Sequence, residues 1–269
     1  MYLQQIEKNE TFEENIKRAF LKNTSYLYEE PLLLLRQEVQ EPGIYSAIIE
    51  AIARGYTKAN EISTKIGEDA AKCLKYIKTL CELGILYKET PFGEKESSRK
   101  TLYGISDFMF RFWYRYVFTN RTLIETGAGD VVWIKRIEPD YSSYMGLVFE
   151  KVCMDYMIAQ NAKGKLPILF TSIGRWWGTN AATHGQEEID LIANDGKDYL
   201  FGECKWRNEK LDISVLKDLK AKADVFRINR KNSYYVLFSK SGFTEAVLNE
   251  VRSDDSILLV DLAELMTSC

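Results

Sequence analysis

The sequence EEIDLIANDGKDYLFGECKW, residues 187–206, contains two apolar runs separated by the turn sequence NDG. Apolar runs on both sides of an Asp–Gly pair are typical of a β-hairpin, so we predict two antiparallel strands here. Asp190 lies in the first run, and Glu203 follows thirteen positions later in the second. Antiparallel pairing would bring these two carboxylates close together across the strands.

Lys205 lies two positions after Glu203, so both side chains point to the same face of a strand. One face of the sheet is therefore predicted to present Asp190, Glu203 and Lys205 together. The two carboxylates and the backbone carbonyl of Cys204 would supply hard oxygen ligands for Mg²⁺ or Mn²⁺. Such a metal polarises a phosphate and lowers the pKa of a bound water, which Lys205 could position for attack.

Two further carboxylates belong to the same prediction. Glu150 lies in the preceding predicted helix and could support the metal by holding a bound water. Glu188 shares the face of Asp190 if the strand alternates strictly, so it is a competing ligand or a supporting group. The alternative is a metal-free salt bridge of Lys205 with Asp190 or Glu203. The spacing of the three residues on consecutive strands favours the metal site.

The surrounding pattern predicts an α/β domain over residues 144–269, within a chain that is α+β overall. Its segments alternate between helical and strand periodicity. The predicted order is helix, three strands, helix and strand (αβββαβ), followed by a further helix and a last strand that runs into a short helix: 144–160, 166–174, 187–195, 198–206, 214–226, 233–240, 243–251 and 256–265.

Residues 41–105 show a different pattern. Three amphipathic helices end at Gly55, Gly67 and Gly84, and two short strands follow around the polar loop PFGEKESS. Three helices followed by a hairpin indicate a winged helix-turn-helix. The apolar stripe of the third helix is predicted to comprise Ala70, Leu74, Ile77, Leu80 and Cys81.

Lysines provide the predicted nucleic-acid contacts. Lys72, Lys75 and Lys78 lie on one face of the third helix, where a recognition helix would contact phosphates. Lys217 and Lys220 lie on the helix after the predicted third strand, where they could contact phosphate near the metal. The alternative for all five is an ordinary solvated surface, and a winged helix can also dock on protein.

The remaining segments are an N-terminal arm and a connector. Residues 1–40 are predicted to form short helices that pack on the winged helix-turn-helix. Residues 106–143, which contain the run DFMFRFWYRYVF, are predicted to form a helix that joins the two domains. In RWWG, residues 175–178, the tryptophans could stack on an unpaired base, but packing at the start of the sheet, with a turn at Gly178, is favoured. His184 is interpreted as a loop histidine rather than a general acid.

Composition excludes several classes of function. The 269 residues include 36 Lys and Arg against 39 Asp and Glu, a net charge of −3, so any DNA binding must come from local patches. One histidine and five scattered cysteines argue against a structural zinc site and fit reduced thiols. With no signal peptide or apolar span of membrane length apparent, a cytoplasmic protein without membrane contact is expected.

Residues 144–262 resemble the PD-(D/E)XK nuclease superfamily, the restriction-endonuclease-like fold that includes archaeal Holliday junction resolvases. Glu150, Asp190, Glu203 and Lys205 match its helix glutamate and its D…ExK signature. Ile189 stands where the named motif has proline. The resemblance implies a metal-dependent cut in a phosphodiester.

The whole chain is also similar to the C-terminal half of archaeal-type AAA ATPases. The matching segments are YLYEEPLLLLRQEVQEP, DFMFRFWYRYV, YMGLVFE, RWWG and EEIDLI…GECKW. That resemblance implies a winged helix and a C-terminal domain of unknown function, with residues 1–40 as the end of an ATPase lid. GxxxxGK[ST] does not occur in the sequence, so no ATP site is expected, and the chain would work beside a separate ATPase or be a truncated relative.

The expected function is a DNA-binding protein with a Mg²⁺-dependent endonuclease domain. One alternative is a catalytically silent DNA- or protein-binding regulatory module of an ATPase system. The other is a winged-helix transcription regulator whose C-terminal domain dimerises. The sequence leaves a homodimer, and the choice of DNA or RNA, open.

Overall fold

A computed structural model of the chain describes residues 6–96, 99–181, 183–226 and 229–268. The protein is mixed α/β and divides into two compact units. The first unit comprises Met1–Glu89 and Glu96–Tyr141, and the second comprises Thr90–Lys95 and Ser142–Cys269. Within the described part of the chain, no helix is both long enough and apolar enough to cross a membrane.

The first unit begins with two helices, α1 (Phe12–Phe20) and α2 (Glu30–Glu38). Thr11 starts α1 with a capping box: its hydroxyl accepts from the backbone N–H of Glu14 at 3.2 Å, and the Glu14 carboxylate accepts from the backbone N–H of Thr11 at 2.7 Å. Two otherwise unpaired donors are thereby satisfied, which fixes the start of the helix. Pro31 lies in the first turn of α2, where its missing N–H costs no hydrogen bond.

Three helices and a hairpin follow, in the predicted order. They are α3 (Pro42–Ala53), α4 (Ala59–Ile66), α5 (Ala70–Glu82), β1 (Leu86–Glu89) and β2 (Leu102–Ile105). The two strands pair antiparallel.

The apolar stripe predicted for α5 is partly wrong. Cys73, Ile77 and Leu80 are buried, whereas Leu74 is 43% exposed and Ala70 also faces solvent. The buried positions follow the i, i+4, i+7 spacing from Cys73, so the inward face is rotated from the predicted one.

The single connector helix predicted over residues 106–143 is also wrong. The segment is instead a series of short pieces: α6 (Phe108–Phe112), a π-helical turn (Trp113–Val117), a 3-10 turn (Phe118–Asn120), α7 (Arg121–Glu125), α8 (Gly129–Val132) and a second π-helical turn (Trp133–Ile137). Trp113 and Tyr114 are fully buried, and the Trp113 indole donates to the carbonyl of Tyr28 at 2.7 Å. Irregular turns let adjacent large rings be buried, which one regular helix face would not.

The second unit is built on a five-stranded mixed sheet of strand order β3-β4-β5-β6-β7. Its elements are α9 (Tyr141–Ala162), β3 (Ser172–Thr179), β4 (Gln186–Asn194), β5 (Tyr199–Lys205), α10 (Ile213–Val225), β6 (Ser233–Ser239), α11 (Glu245–Ser253), β7 (Ile257–Asp261) and α12 (Leu262–Ser268). The first three strands pair antiparallel, and β5, β6 and β7 pair parallel through the crossover helices α10 and α11. The predicted order of helices and strands is the observed one.

The first of these strands begins later than predicted, at Ser172 instead of residue 166. Pro167 has no backbone N–H to donate to a ladder. The backbone of Phe170 instead pairs with the side-chain amide of Asn161 on α9, at 3.0 and 3.1 Å. Gly178 lies inside β3 and makes no turn there.

The sheet separates two apolar cores. Leu200 and Val236 pack with Phe149 of α9 on one face, and Phe201 and Leu237 pack with the residues of α10 and α11 on the other. Alternate strand residues therefore enter different cores, which places α9 and α10 on opposite faces of the sheet.

Candidate functional site

Asp190 and Glu203 are brought together by the pairing of β4 with β5. The last paired residues in that ladder are Leu191 and Gly202, so Asp190 and Glu203 stand at the next step of the same register. The hairpin prediction thus gave the correct neighbours across the strands.

Asp190 lies in a β-bulge that the sequence did not predict. Gly174 pairs with Ile192 and Trp176 pairs with Ile189, so the single residue Arg175 of β3 faces both Asp190 and Leu191 of β4. A bulge places two residues opposite one and interrupts the alternation of side chains. Ile189 and Ile192, three positions apart, consequently enter the same core.

The bulge lets the Asp190 side chain replace a ladder bond. Its Oδ2 accepts the backbone N–H of Cys204 at 2.8 Å. Burial, together with the neighbouring charge of Glu203, raises the pKa of Asp190 from 3.8 to about 6. The two carboxylates are therefore close enough to repel each other in a partly desolvated place.

Glu203 is buried, with 4% of its surface exposed, and two ammonium groups hold it. Lys205 Nζ donates to Oε1 at 2.5 Å, and Lys222 Nζ lies 3.2 Å from Oε1 and 3.1 Å from Oε2. Burial lowers the pKa of Lys205, but the adjacent Glu203 charge and hydrogen bond outweigh it and raise that pKa above its usual value. The predicted group of Asp190, Glu203 and Lys205 is thus assembled, with Lys222 as a fourth member.

The sequence did not predict a role for Lys222. The cations predicted on the same helix are Lys217 and Lys220. Lys217 is exposed, and Lys220 pairs with Asp254 at 3.3 Å, so neither contacts Glu203. A usable signal was present, because Lys222 directly precedes Ala223, a member of the buried stripe of α10. A long side chain at the border of such a stripe can extend along the sheet toward a buried carboxylate.

Glu150 and Glu188 meet a different cation, Arg175. Arg175 Nε lies 3.8 Å from Glu150 Oε2, and its Nη2 bonds Glu188. Glu150 comes from α9, on the face of the sheet opposite α10. The register of β4 is regular at Glu188 and Ile189, before the bulge, and the charge of Glu188 helps to raise the Asp190 pKa.

The donor set fits a hard cation in its chemistry. Two carboxylates and the Cys204 carbonyl are oxygen donors of the kind that Mg²⁺ prefers, and a cation would offset the repulsion between Asp190 and Glu203. Both oxygens of Glu203 are already bonded to lysines, so a metal would compete with Lys205 and Lys222 for them. Within the described residues, no three or more His, Cys, Asp or Glu side chains group so as to hold a metal by themselves.

The predicted DNA-contacting lysines of α5 are all exposed. Lys72 pairs with Glu68 at 3.1 Å, and Lys78 pairs with Glu82 at 3.6 Å. Exposed pairs of this kind contribute little to stability.

The RWWG segment packs within the second unit, and His184 is exposed. Trp176 packs in the core, with its ring 5.5 Å from that of Phe226, and Trp177 lies beside the guanidinium of Arg175. His184 is exposed in a turn with a φ of 57°, where its backbone N–H donates to the carbonyl of Asn180 at 2.8 Å.

Comparison with known proteins gives one family and one curated relative. Residues 113–222 match the family DUF234, described as archaeal and bacterial proteins of unknown function. An uncharacterized protein of Methanocaldococcus jannaschii is 36% identical over 244 residues, which cover 89% of this chain and 52% of that protein. The chain therefore spans about half the length of this curated relative.

Similar solved structures are distant. Protein VC1899 from Vibrio cholerae aligns over 91% of this chain and 55% of its own at 12% identity, with a TM-score of 0.32. The O-methyltransferase NcsB1 from neocarzinostatin biosynthesis aligns over 88% of this chain and 65% of its own at 14% identity, with a TM-score of 0.19.

Proposed function

We propose that this chain binds DNA and hydrolyses a phosphodiester bond at the site formed by Asp190, Glu203, Lys205 and Lys222, with Mg²⁺ or Mn²⁺ as cofactor. The observation that carries the proposal is the contact of two lysines with Glu203. Glu203 lies across from Asp190 on the neighbouring strand, one step beyond the pair Leu191 and Gly202. Two carboxylates beside ammonium groups on adjacent strands form the arrangement that metal-dependent phosphodiester hydrolysis needs.

In this proposal Asp190, Glu203 and the Cys204 carbonyl would hold the metal. A bound divalent cation polarises the phosphate and lowers the pKa of a coordinated water. Lys205 positions the attacking water and offsets the charge that develops on the phosphate. Glu150, whose Oε2 lies 3.8 Å from Arg175 Nε, would support the ligands from the α9 face of the sheet.

Lys222 has two roles in the proposed reaction. Before substrate binds, it shares with Lys205 the charge of Glu203, which keeps a buried carboxylate from being unpaired. If Glu203 held a metal, the ammonium of Lys222 would be available to a phosphate oxygen. It is therefore proposed as a second cation for the substrate.

The roles of the two units are part of the same proposal. The three helices and hairpin of the first unit would act as a winged helix-turn-helix, and the second unit as a restriction-endonuclease-like domain. The motif resemblance supports a cytoplasmic role beside a AAA ATPase. The exposed lysines of α5 support contact with DNA phosphates.

A second candidate is a catalytically silent binding module. The observation that favours it is the saturation of Glu203: two lysines already satisfy its charge, so the site is stable without a metal. In that case the four residues would form an internal ion cluster, and the second unit would bind DNA or a protein partner without cutting.

Metal binding separates the two candidates. Mn²⁺ is titrated by calorimetry into the wild-type chain and into Asp190→Asn and Glu203→Gln, with Asp254→Asn as a control carboxylate in the same unit. Saturable binding that both site variants lose and the control keeps supports the metal site. Absence of binding in the wild type favours the silent module.

Cleavage tests the reaction itself, on linear, flapped and four-way DNA with Mg²⁺ or Mn²⁺. Lys222→Met is compared with Lys217→Met, which removes the same charge from an exposed position of the same helix. We expect Lys222→Met to lose at least tenfold in cleavage rate, about 1.4 kcal/mol of transition-state stabilisation, and Lys217→Met to lose much less. Equal rates for the two variants would remove Lys222 from the mechanism.

A further inference from the structure

The first unit contains a basic cleft of about 510 Å³ that the proposed hydrolysis does not use. Its charged lining comprises four cations and one carboxylate: Arg54, Arg115, Lys135, Arg136 and Asp140. Tyr116, Thr119, Asn120 and Pro139 complete the lining. A local excess of positive charge in a chain of net charge −3 calls for an explanation.

The cations come from three separate segments. Arg54 directly follows α3, Arg115 lies in the first π-helical turn, and Lys135 and Arg136 are adjacent in the second. Like charges from distant parts of the chain repel one another when folding brings them to one concave surface. An anionic ligand would remove that cost, and a concave wall concentrates the field on it.

The one carboxylate of the lining, Asp140, already accepts hydrogen bonds from two neighbouring side chains. Asp140 Oδ2 accepts from Arg115 Nε at 2.6 Å and from the Tyr116 hydroxyl at 2.5 Å. Arg115 Nη1 also donates to the carbonyl of Ala53 at 2.8 Å. These bonds fix the Arg115 side chain at the cleft before any ligand arrives, which lowers the entropy cost of using it.

The other cations are more available. Arg54 pairs with Glu50 at 2.9 Å, an exposed i, i+4 pair on the end of α3. Lys135 and Arg136 are exposed, and neither makes an ion pair with any residue that the structure describes. Two exposed cations without an ion pair among the described residues thus lie in the same cleft as one guanidinium fixed by hydrogen bonds.

We propose that this cleft binds phosphate groups. Guanidinium forks match the oxygen geometry of phosphate, and the lysine adds a point charge. The side-chain donors of Tyr116, Thr119 and Asn120 already form hydrogen bonds within the fold, so the cations are the groups that would recognise the phosphate. The phosphates belong either to a free polyphosphate or to a nucleic-acid backbone.

The test measures the binding of two probes to the 269-residue chain in EDTA, so that metal at the Asp190 site contributes nothing. Inorganic triphosphate is titrated by calorimetry, and a fluorescent single-stranded oligonucleotide is titrated by anisotropy at several salt concentrations. Lys135→Ala/Arg136→Ala is compared with Lys8→Ala/Lys22→Ala, which removes the same charge elsewhere in the first unit. Arg54→Ala probes the cleft from a separate segment, and thermal unfolding checks that each variant is folded.

The cleft variant is expected to weaken binding about tenfold or more relative to the control variant, with Arg54→Ala changing affinity in the same direction. For the single-stranded oligonucleotide, the slope of log affinity against log salt should fall in magnitude by about 1.4, since each lost cation contributes about 0.7. An effect on triphosphate identifies a free polyphosphate, and an effect confined to the oligonucleotide identifies the backbone. Failure of the wild type to bind either probe, or equal affinities for the cleft and control variants, overturns the proposal, whatever the outcome at Asp190.

Discussion

Asp190→Asn is expected to stabilise the folded protein, although it changes a residue of the proposed active site. The substitution removes the charge that burial and Glu203 disfavour, while the asparagine oxygen can still accept the N–H of Cys204. A carboxyl whose folded pKa is raised binds its proton more tightly in the folded state. Its contribution is therefore favourable at low pH and is lost as pH rises toward and past the folded pKa.

The size of the effect follows from the pKa of Asp190, which folding raises from 3.8 to about 6. One pH unit of pKa difference is worth about 1.4 kcal/mol, so ionised Asp190 costs the fold about 3 kcal/mol at pH 7.5 and about 1 kcal/mol at pH 4.5. Asp190→Asn should therefore stabilise the fold by up to about 3 kcal/mol at pH 7.5 and up to about 1 kcal/mol at pH 4.5.

Urea unfolding at pH 4.5 and pH 7.5, in EDTA, measures the difference in unfolding free energy between wild type and variant. A shift in the urea midpoint with an unchanged slope reports that difference. Asp254→Asn is the matched control: the Ser256 hydroxyl and other hydrogen bonds lower the pKa of Asp254, so its removal should destabilise at pH 7.5. The reasoning is refuted if Asp190→Asn destabilises at pH 7.5, or if its effect is the same at both pH values.

Three further predictions concern other parts of the fold. Gly202→Ala should destabilise by about 1–3 kcal/mol in urea unfolding, because a Cβ there would meet side-chain carbons of both flanking strands at 3.0 Å. Glu203→Gln should destabilise by about 1–2 kcal/mol in the same assay, since two lysines lose a charged acceptor but keep access to water. Asp140→Asn should destabilise by about 1–3 kcal/mol at pH 7.5, measured by thermal unfolding, because Arg115 and Tyr116 lose their acceptor. Burial raises the Asp140 pKa, but the bonds from Arg115 and Tyr116 outweigh it and hold the pKa below its usual value. The difference in stability between wild type and Asp140→Asn should therefore shrink as pH falls through the acidic range. A difference that stays constant with pH would contradict this.

The effects of Asp190→Asn and Glu203→Gln should have opposite signs, which gives the site a characteristic thermodynamic pattern. One carboxylate is destabilised where it stands, and its neighbour is held by two lysines. Sites that place like charges together commonly lose stability for function. The silent module would contain the same four residues and show the same pattern, so metal binding and cleavage, and not stability, separate the nuclease from the silent module.

The sequence alone determined the elements of the second unit and the pairing of its central strands. The apolar runs around NDG and the helical period of residues 144–160 are local signals, because burial imposes them on consecutive residues. They were sufficient to make Asp190, Glu203 and Lys205 neighbours, since strand register fixes which residues face each other.

Only the tertiary structure decided the features that depend on distant segments. The bulge at Asp190 arises from the match between β3 and β4, and Lys222 reaches Glu203 because α10 crosses the sheet at that point. The broken helices of residues 108–137 reflect the packing of large rings against other helices, which overrides the helical period of the sequence. The basic cleft joins residues that lie up to 86 positions apart between Arg54 and Asp140. Such proximity comes from chain packing, and no local pattern of residues encodes it.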